Sequence, residues 1–197
     1  MRNVFILALG LVLGALPAGG ALAQQTGRHA ASLTAEQPKA RLDALFAELK
    51  RARDEGTARR VSTRILQQWS QSGSASIDLL MLWAQEAMDS EQYDVALDLL
   101  DQVILLAPNY AEGWNRRATV HFMNGDYPKA MADIGRVLEL EPRHFGALSG
   151  MATILREDDR KEAAMRAYQR LLEIYPMLRE AQTELGKLAD ELAGQGI

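Results

Sequence analysis

Three prolines, Pro108, Pro142 and Pro176, stand 34 residues apart, and around each of them the same residue types return at the same distances. A period of that length, kept three times, implies copies of one supersecondary unit laid side by side. In the middle copy Trp114, Ala118 and Phe122 fall on one face of a first helix. Gly125-Asp126-Tyr127 supplies a turn, and Ala130, Ile134 and Val137 line a second helix that stops before Pro142. One period earlier, Leu80, Ala84, Tyr93, Ala96, Leu100 and Val103 hold these places. One period later they pass to Leu148, Ala152, Ala164, Tyr168 and Leu171.

Each residue type has its own reason. Alanines at 84, 118 and 152, and at 96, 130 and 164, let helix axes approach to about 8–10 Å, which larger side chains would prevent. Tyr93 and Tyr127 fill the corner after the turn. Each proline lacks an N–H and restricts the residue before it, so it ends its unit. One helical hairpin cannot bury both of its apolar faces, and neighbouring hairpins must therefore stack.

The flanks follow different rules. Residues 1–23 run from Arg2 through an apolar stretch, Val4 to Leu13, to Gly14, Pro17, Gly19 and Gly20, then Ala21-Leu22-Ala23. That order is expected of a secretory signal peptide cleaved after a small-x-small site formed by Ala21 and Ala23. The rival reading is an uncleaved anchor, since Val4 to Ala23 carries no charge. Cleavage is the expectation, because Pro17 and the paired glycines suit a cleavage region, and no stable membrane anchor then remains. Residues 24–37 have no apolar period and are expected to form a flexible leader. Leu42, Leu45, Phe46 and Leu49, followed by Val61, Ile65, Leu66 and Trp69, mark two further helices in the register of a fourth, degenerate repeat at 38–76, expected to cap the N-terminal end. Repeats at 77–110, 111–144 and 145–178 follow. A last amphipathic helix, 179–193, with Leu185, Leu188, Ala189 and Leu192 on one side, is expected to close the other end.

Chemistry is harder to find. The chain contains no cysteine, which removes disulfides, thiolate metal sites and lipid attachment after the apolar run. His29, His121 and His144 have no histidine partner at i+3 or i+4, so no metal is expected. No phosphate-binding glycine loop and no Gly-x-Ser-x-Gly elbow occurs, and neither an enzyme nor a cofactor is expected. Loss of residues 1–23 removes one cation, Arg2, and takes the net charge from −4 to −5. A mildly acidic chain without a basic block does not suit nucleic acid. His144 is expected to start a helix, with a pH-sensing role as the alternative. Arg116 and Arg117 diverge by about 100° on a helix, so only one can face a given ligand. Trp69 and the Ser/Gly loop after it are read as a helix exit.

The Trp/Tyr/Ala/Pro pattern resembles the tetratricopeptide repeat family across 77–178, and more weakly across 43–76 and 179–193. The whole chain is similar to small exported tetratricopeptide proteins of alphaproteobacteria. The resemblance implies an all-α fold, a right-handed α-solenoid of antiparallel helix pairs with about nine helices after the signal peptide. It also implies a concave groove for a protein or peptide partner, lined by Met81, Gln85 and Met88, then Asn115, Arg116, Thr119 and Phe122, then Ser149, Thr153 and Arg156. The Lys/Asn set with which one subfamily clamps chaperone C-terminal carboxylates is not reproduced. The expected function is a non-catalytic periplasmic interaction module that works through this groove. The alternative is a structural subunit of a cell-envelope assembly, docked through its caps, with Trp69 as the candidate contact, or through its convex face.

Overall fold

A computed structural model describes residues 39–194. The leader, the cleavage site at Ala21 and Ala23, and His29 lie outside the described residues. Within them are nine helices and no strand. These are α1 (39–51), α2 (Glu55–Trp69), α3 (Ala75–Asp89), α4 (Tyr93–Leu106), α5 (Ala111–Met123), α6 (Tyr127–Leu140), α7 (Phe145–Glu157), α8 (Lys161–Ile174) and α9 (Arg179–Gly194). Helices α3/α4, α5/α6 and α7/α8 are the three repeats of a right-handed solenoid. Neighbours pack α4 on α5, α6 on α7 and α8 on α9.

The repetition is carried by the backbone as well as by the side chains. Each hairpin turn places one residue in the left-handed region, Glu91 (φ 57°), Gly125 (φ 73°) and Asp159 (φ 56°), at the 34-residue step. Each is closed by the paired bonds of a Schellman cap: Gln92 N–H to the Ala87 carbonyl (2.8 Å) with Glu91 to Met88 (3.0 Å), and so on at 126/121 and 160/155. Only the middle copy uses glycine there; the other two bear the steric cost of a side chain at positive φ. The residues preceding the prolines, Ala107, Glu141 and Tyr175, leave helical geometry as the proline ring demands. The six packing alanines, 84, 96, 118, 130, 152 and 164, are all buried.

The N-terminal hairpin corrects the expectation of a cap stacked ahead of the first repeat. Helices α1 and α2 form, but their buried residues Leu45, Phe46, Leu49, Val61 and Ile65 join the core of the third repeat, with Phe145, Leu148 and Tyr175. No residue of α3 or α4 belongs to that cluster among the described residues. Helix α2 crosses the inter-repeat loops in reverse order. Arg179 reaches Glu55 (2.8 Å), Tyr175 Oη lies 3.3 Å from Ser62 Oγ, Trp69 stacks on His144, and the Tyr110 hydroxyl donates to the Ser70 carbonyl (3.0 Å). From Ser62 to Trp69 the helix rises about 10 Å, close to the spacing of packed helices. That match lets one straight helix brace successive loops. The linker then turns back through Gly73 (φ 80°) to begin α3 at Ala75, with Ser74 at its cap position. At the other end, Ala181 and Leu188 are buried in the same core, whereas Ala189, expected on that face, is exposed.

Candidate functional site

The predicted groove residues all lie on the first helices of the repeats, α3, α5 and α7. Five of the predicted groove residues, Asn115, Thr119, Phe122, Ser149 and Thr153, come together around an open cavity of about 190 Å³ between α5 and α7. Ala118, Ile134, Ala147 and Ile154 give it an apolar floor, and Gly146 and Gly150 leave one wall without side chains. Thr119 donates its hydroxyl to the Asn115 carbonyl (3.0 Å) and Thr153 to that of Ser149 (3.1 Å). Both protons are engaged within their own helices, so the cavity offers shape and apolar contact more than hydrogen bonds.

The remaining predicted residues are placed differently. Arg116 donates from Nε to Glu112 (3.0 Å) and also bonds Gln85, whose amide nitrogen in turn donates to Asp89 (2.7 Å). Asn115 donates to Glu112 (3.2 Å), and Arg156 is shared between Glu157 (3.1 Å) and Glu184 of α9. Met81 is half-buried. Met88 is withdrawn from the groove: it is only 8% exposed and packs with Ala84, Leu100 and Val120. Its counterpart one period later, Phe122, keeps its ring at the cavity, stacked on Tyr127, whereas the flexible Met88 side chain folds into the core. Leu82 was missed. It is more than half exposed and occupies the place that Arg116 holds one period later, so the 34-residue step alone could have found it.

Behind the groove lies a buried polar network that ties it to the N-terminal hairpin. His144 is 1% exposed and caps α7, its Nδ1 accepting the Ala147 N–H at 3.1 Å. The proton therefore sits on Nε2, which donates to Glu112 Oε2 at 3.3 Å. The Trp69 indole stacks on the imidazole at a centroid distance of 4.2 Å and an angle of 9°. Burial pushes the Glu112 carboxyl up, but hydrogen bonds from His144 and Arg116, with the Arg116 charge, outweigh it and hold the group below its ordinary value. Glu112 is thus an ionised buried carboxylate that orients Asn115 and Arg116. Trp69 helps to fix its histidine partner and is no free docking surface. The helix-start role of His144 is the one the geometry displays.

Arg117 turns away from Arg116 and lies between Asp101 (2.6 Å) and Asp133 (2.7 Å). Burial lowers the pKa of the adjacent His121, whose Nε2 is 3.8 Å from Asp133. Among the described residues no three His, Asp or Glu side chains converge as a metal site, and no helix is long and apolar enough to cross a membrane.

With this geometry in hand, similarity to known proteins is specific for family. The model of the tetratricopeptide repeat matches residues 81–138 and 124–177. A TPR repeat-containing protein of Rhizobium etli is 45% identical over 189 residues, covering 96% of this chain and 93% of the relative. The chain belongs to the tetratricopeptide repeat proteins, a family that is generally non-catalytic. Among solved structures, the first TPR of Spaghetti (RPAP3) bound to the HSP90 peptide SRMEEVD superposes with a TM-score of 0.57 at 24% identity. The match covers 59% of this chain and 93% of that one. The TPR2B domain of yeast Sti1 in complex with pHsp70 gives 0.55 at 20% identity, covering 60% and 99%. Both likenesses concern the fold.

Proposed function

We propose that this protein is an adaptor of the cell envelope that holds a segment of a partner protein in the concave groove, with no chemistry of its own. The observation that carries this reading is the α5–α7 cavity, which is apolar, open, and bordered by two glycines over which a partner backbone can pass. Such a cavity takes one apolar anchor side chain from an extended or helical segment. The RPAP3 and Sti1 repeats hold chaperone-derived ligands, which supports a peptide as the ligand class. The chemistry differs, because Arg116 and Arg156 are already engaged by Glu112, Gln85 and Glu184. An internal, apolar-anchored segment therefore suits this groove better than a terminal carboxylate.

A displayed peptide library selected on the protein, and on Thr119→Arg and Ser149→Arg variants that fill the cavity, tests the groove. Sequences with an apolar anchor should be enriched on the parent and lost on both variants, with helical circular dichroism unchanged. Equal enrichment on the variants would reject the groove. The envelope location rests on residues 1–23, and the mass of the protein isolated from its host should correspond to a chain beginning at Gln24. A full-length mass would turn the leader into an anchor.

A further inference from the structure

The solenoid has a second binding surface, at its N-terminal edge. Positions 79, 113 and 147 are equivalent at the 34-residue step, as are 83, 117 and 151, and 86, 120 and 154. In α5 and α7 these positions meet the second helix of the preceding repeat. Val120 and Ile154 are fully buried, and a Cβ on Gly113 would stand 2.8 Å from Val103 Cγ1 of α4. In α3 the same positions are Leu79, Trp83 and Glu86, and among the described residues no helix packs ahead of them, because the N-terminal hairpin docks elsewhere. Leu79 is 43% exposed and Trp83 46%. Helix α4 extends the surface. Leu97, Asp101 and Ile104 turn toward α5, where Asp101 pairs with Arg117. Val95, Leu99, Gln102 and Leu106 form the opposite stripe, with Val95 and Leu106 exposed.

Charge selects the occupant. From Ile65 to Asn115 the chain contains eight Asp and Glu and no Lys or Arg. The cations that follow in sequence, Arg116 and Arg117, are engaged by Glu112, Asp101 and Asp133, and no salt bridge neutralises Glu86 among the described residues. Two copies joined through this face would set like charges together without a cation to separate them, which is costly. Stacking head to tail fares no better, since α9 exposes Glu180 and Asp190 while its exposed cations, Arg179 and Lys187, are already paired with Glu55 and Glu184. A helix is the shape that fits, because a helix fills the equivalent place in both later repeats. We infer that the α3–α4 edge docks a basic amphipathic helix of a partner protein, its apolar side on Trp83 and Leu79 and its Lys or Arg residues toward Glu86.

The probe is a synthetic amphipathic peptide of about 18 residues, five helical turns, with Leu on one side and Lys on the other, compared with its Glu-for-Lys counterpart. Binding to the protein is read by calorimetry and by the blue shift of Trp83 fluorescence. The Lys peptide should bind and weaken as salt rises, and the Glu peptide should not. Trp83→Ala, and separately Glu86→Lys, should each weaken binding by roughly tenfold or more, as for loss of a central anchor. Trp83→Phe should keep binding and abolish the fluorescence change. These side chains are exposed, so folding should be unaffected. Equal binding of both peptides, or unchanged binding by Trp83→Ala, would overturn the inference, as would a dimer of the protein that Trp83→Ala dissociates. Thr119→Arg separates the two sites: it leaves edge binding intact, and a loss of Lys-peptide binding would move the peptide into the groove and reject the edge.

Discussion

The first and third repeats are built from one pattern and live in different surroundings. Ala84 and Ala152, Ala96 and Ala164, Leu100 and Tyr168 are buried at matching positions, so each hairpin packs internally in the same way. The third repeat is covered by α6 on one side, by α9 on the other, and along its loops by the N-terminal hairpin. Among the described residues the first repeat packs chiefly on α5. Because each unit of a solenoid draws stability from its neighbours, identical internal packing yields a well-anchored hairpin at one end and an open one at the other. The open end retains exposed apolar residues that a partner could cover.

The largest test of this contrast is Trp69→Ala. It removes the stack on His144 and the contacts to Phe46 and Phe145, with an expected loss of about 3–5 kcal/mol. Denaturant midpoints give the size. Hydrogen exchange gives the place: protection should fall first at the start of α7, while α3 and α4 change little. Equal loss across all helices would show that the solenoid opens as one unit and that the two repeats do not differ in local stability.

Glu112→Gln comes next, at about 2–3 kcal/mol, since an amide cannot accept from His144, Arg116 and Asn115 together. The carboxyl titrates lower in the folded protein than in the unfolded chain. Its ionised form therefore stabilises the fold above the ordinary value of 4.5, and that contribution disappears as the pH falls through the depressed folded value. The variant should show a flatter loss of stability with acid over that window. An unchanged profile would place the pH dependence elsewhere.

The internal architecture of the repeats was legible because it is local. Period, packing alanines and terminal prolines act within one hairpin or between adjacent ones, and the helices formed where these residues require them. The docking of α1 and α2 was not legible. Leu45, Phe46, Val61 and Ile65 announce two amphipathic helices, but periodicity does not say which neighbour receives the apolar side. That choice depends on Phe145 and Tyr175, roughly a hundred residues away. The groove was legible at Thr119, Phe122, Ser149 and Thr153 as positions that share a face. It failed at Met88, the counterpart of Phe122 one period earlier, because the unbranched Met side chain packs into the core of the first repeat where the Phe ring stays at the cavity. The engagement of Arg116 by Gln85 and Glu112 depends on cross-helix distances that only the folded chain supplies.

The smallest effect gives the sharpest comparison, because it sets one repeat position against its copy. Val120 and Glu86 are equivalent at the 34-residue step, yet Val120 is fully buried beneath the first repeat while Glu86 is exposed at the edge. Val120→Ala should cost about 2 kcal/mol, through lost burial and the small cavity left behind. Glu86→Ala should stay within about 0.5 kcal/mol, as for a surface change that breaks no ion pair. Thermal or denaturant midpoints of the two variants decide the matter. A large loss for Glu86→Ala would mean that the edge of α3 is covered in solution, and the first repeat would then have the neighbour that its exposed Leu79 and Trp83 indicate it lacks.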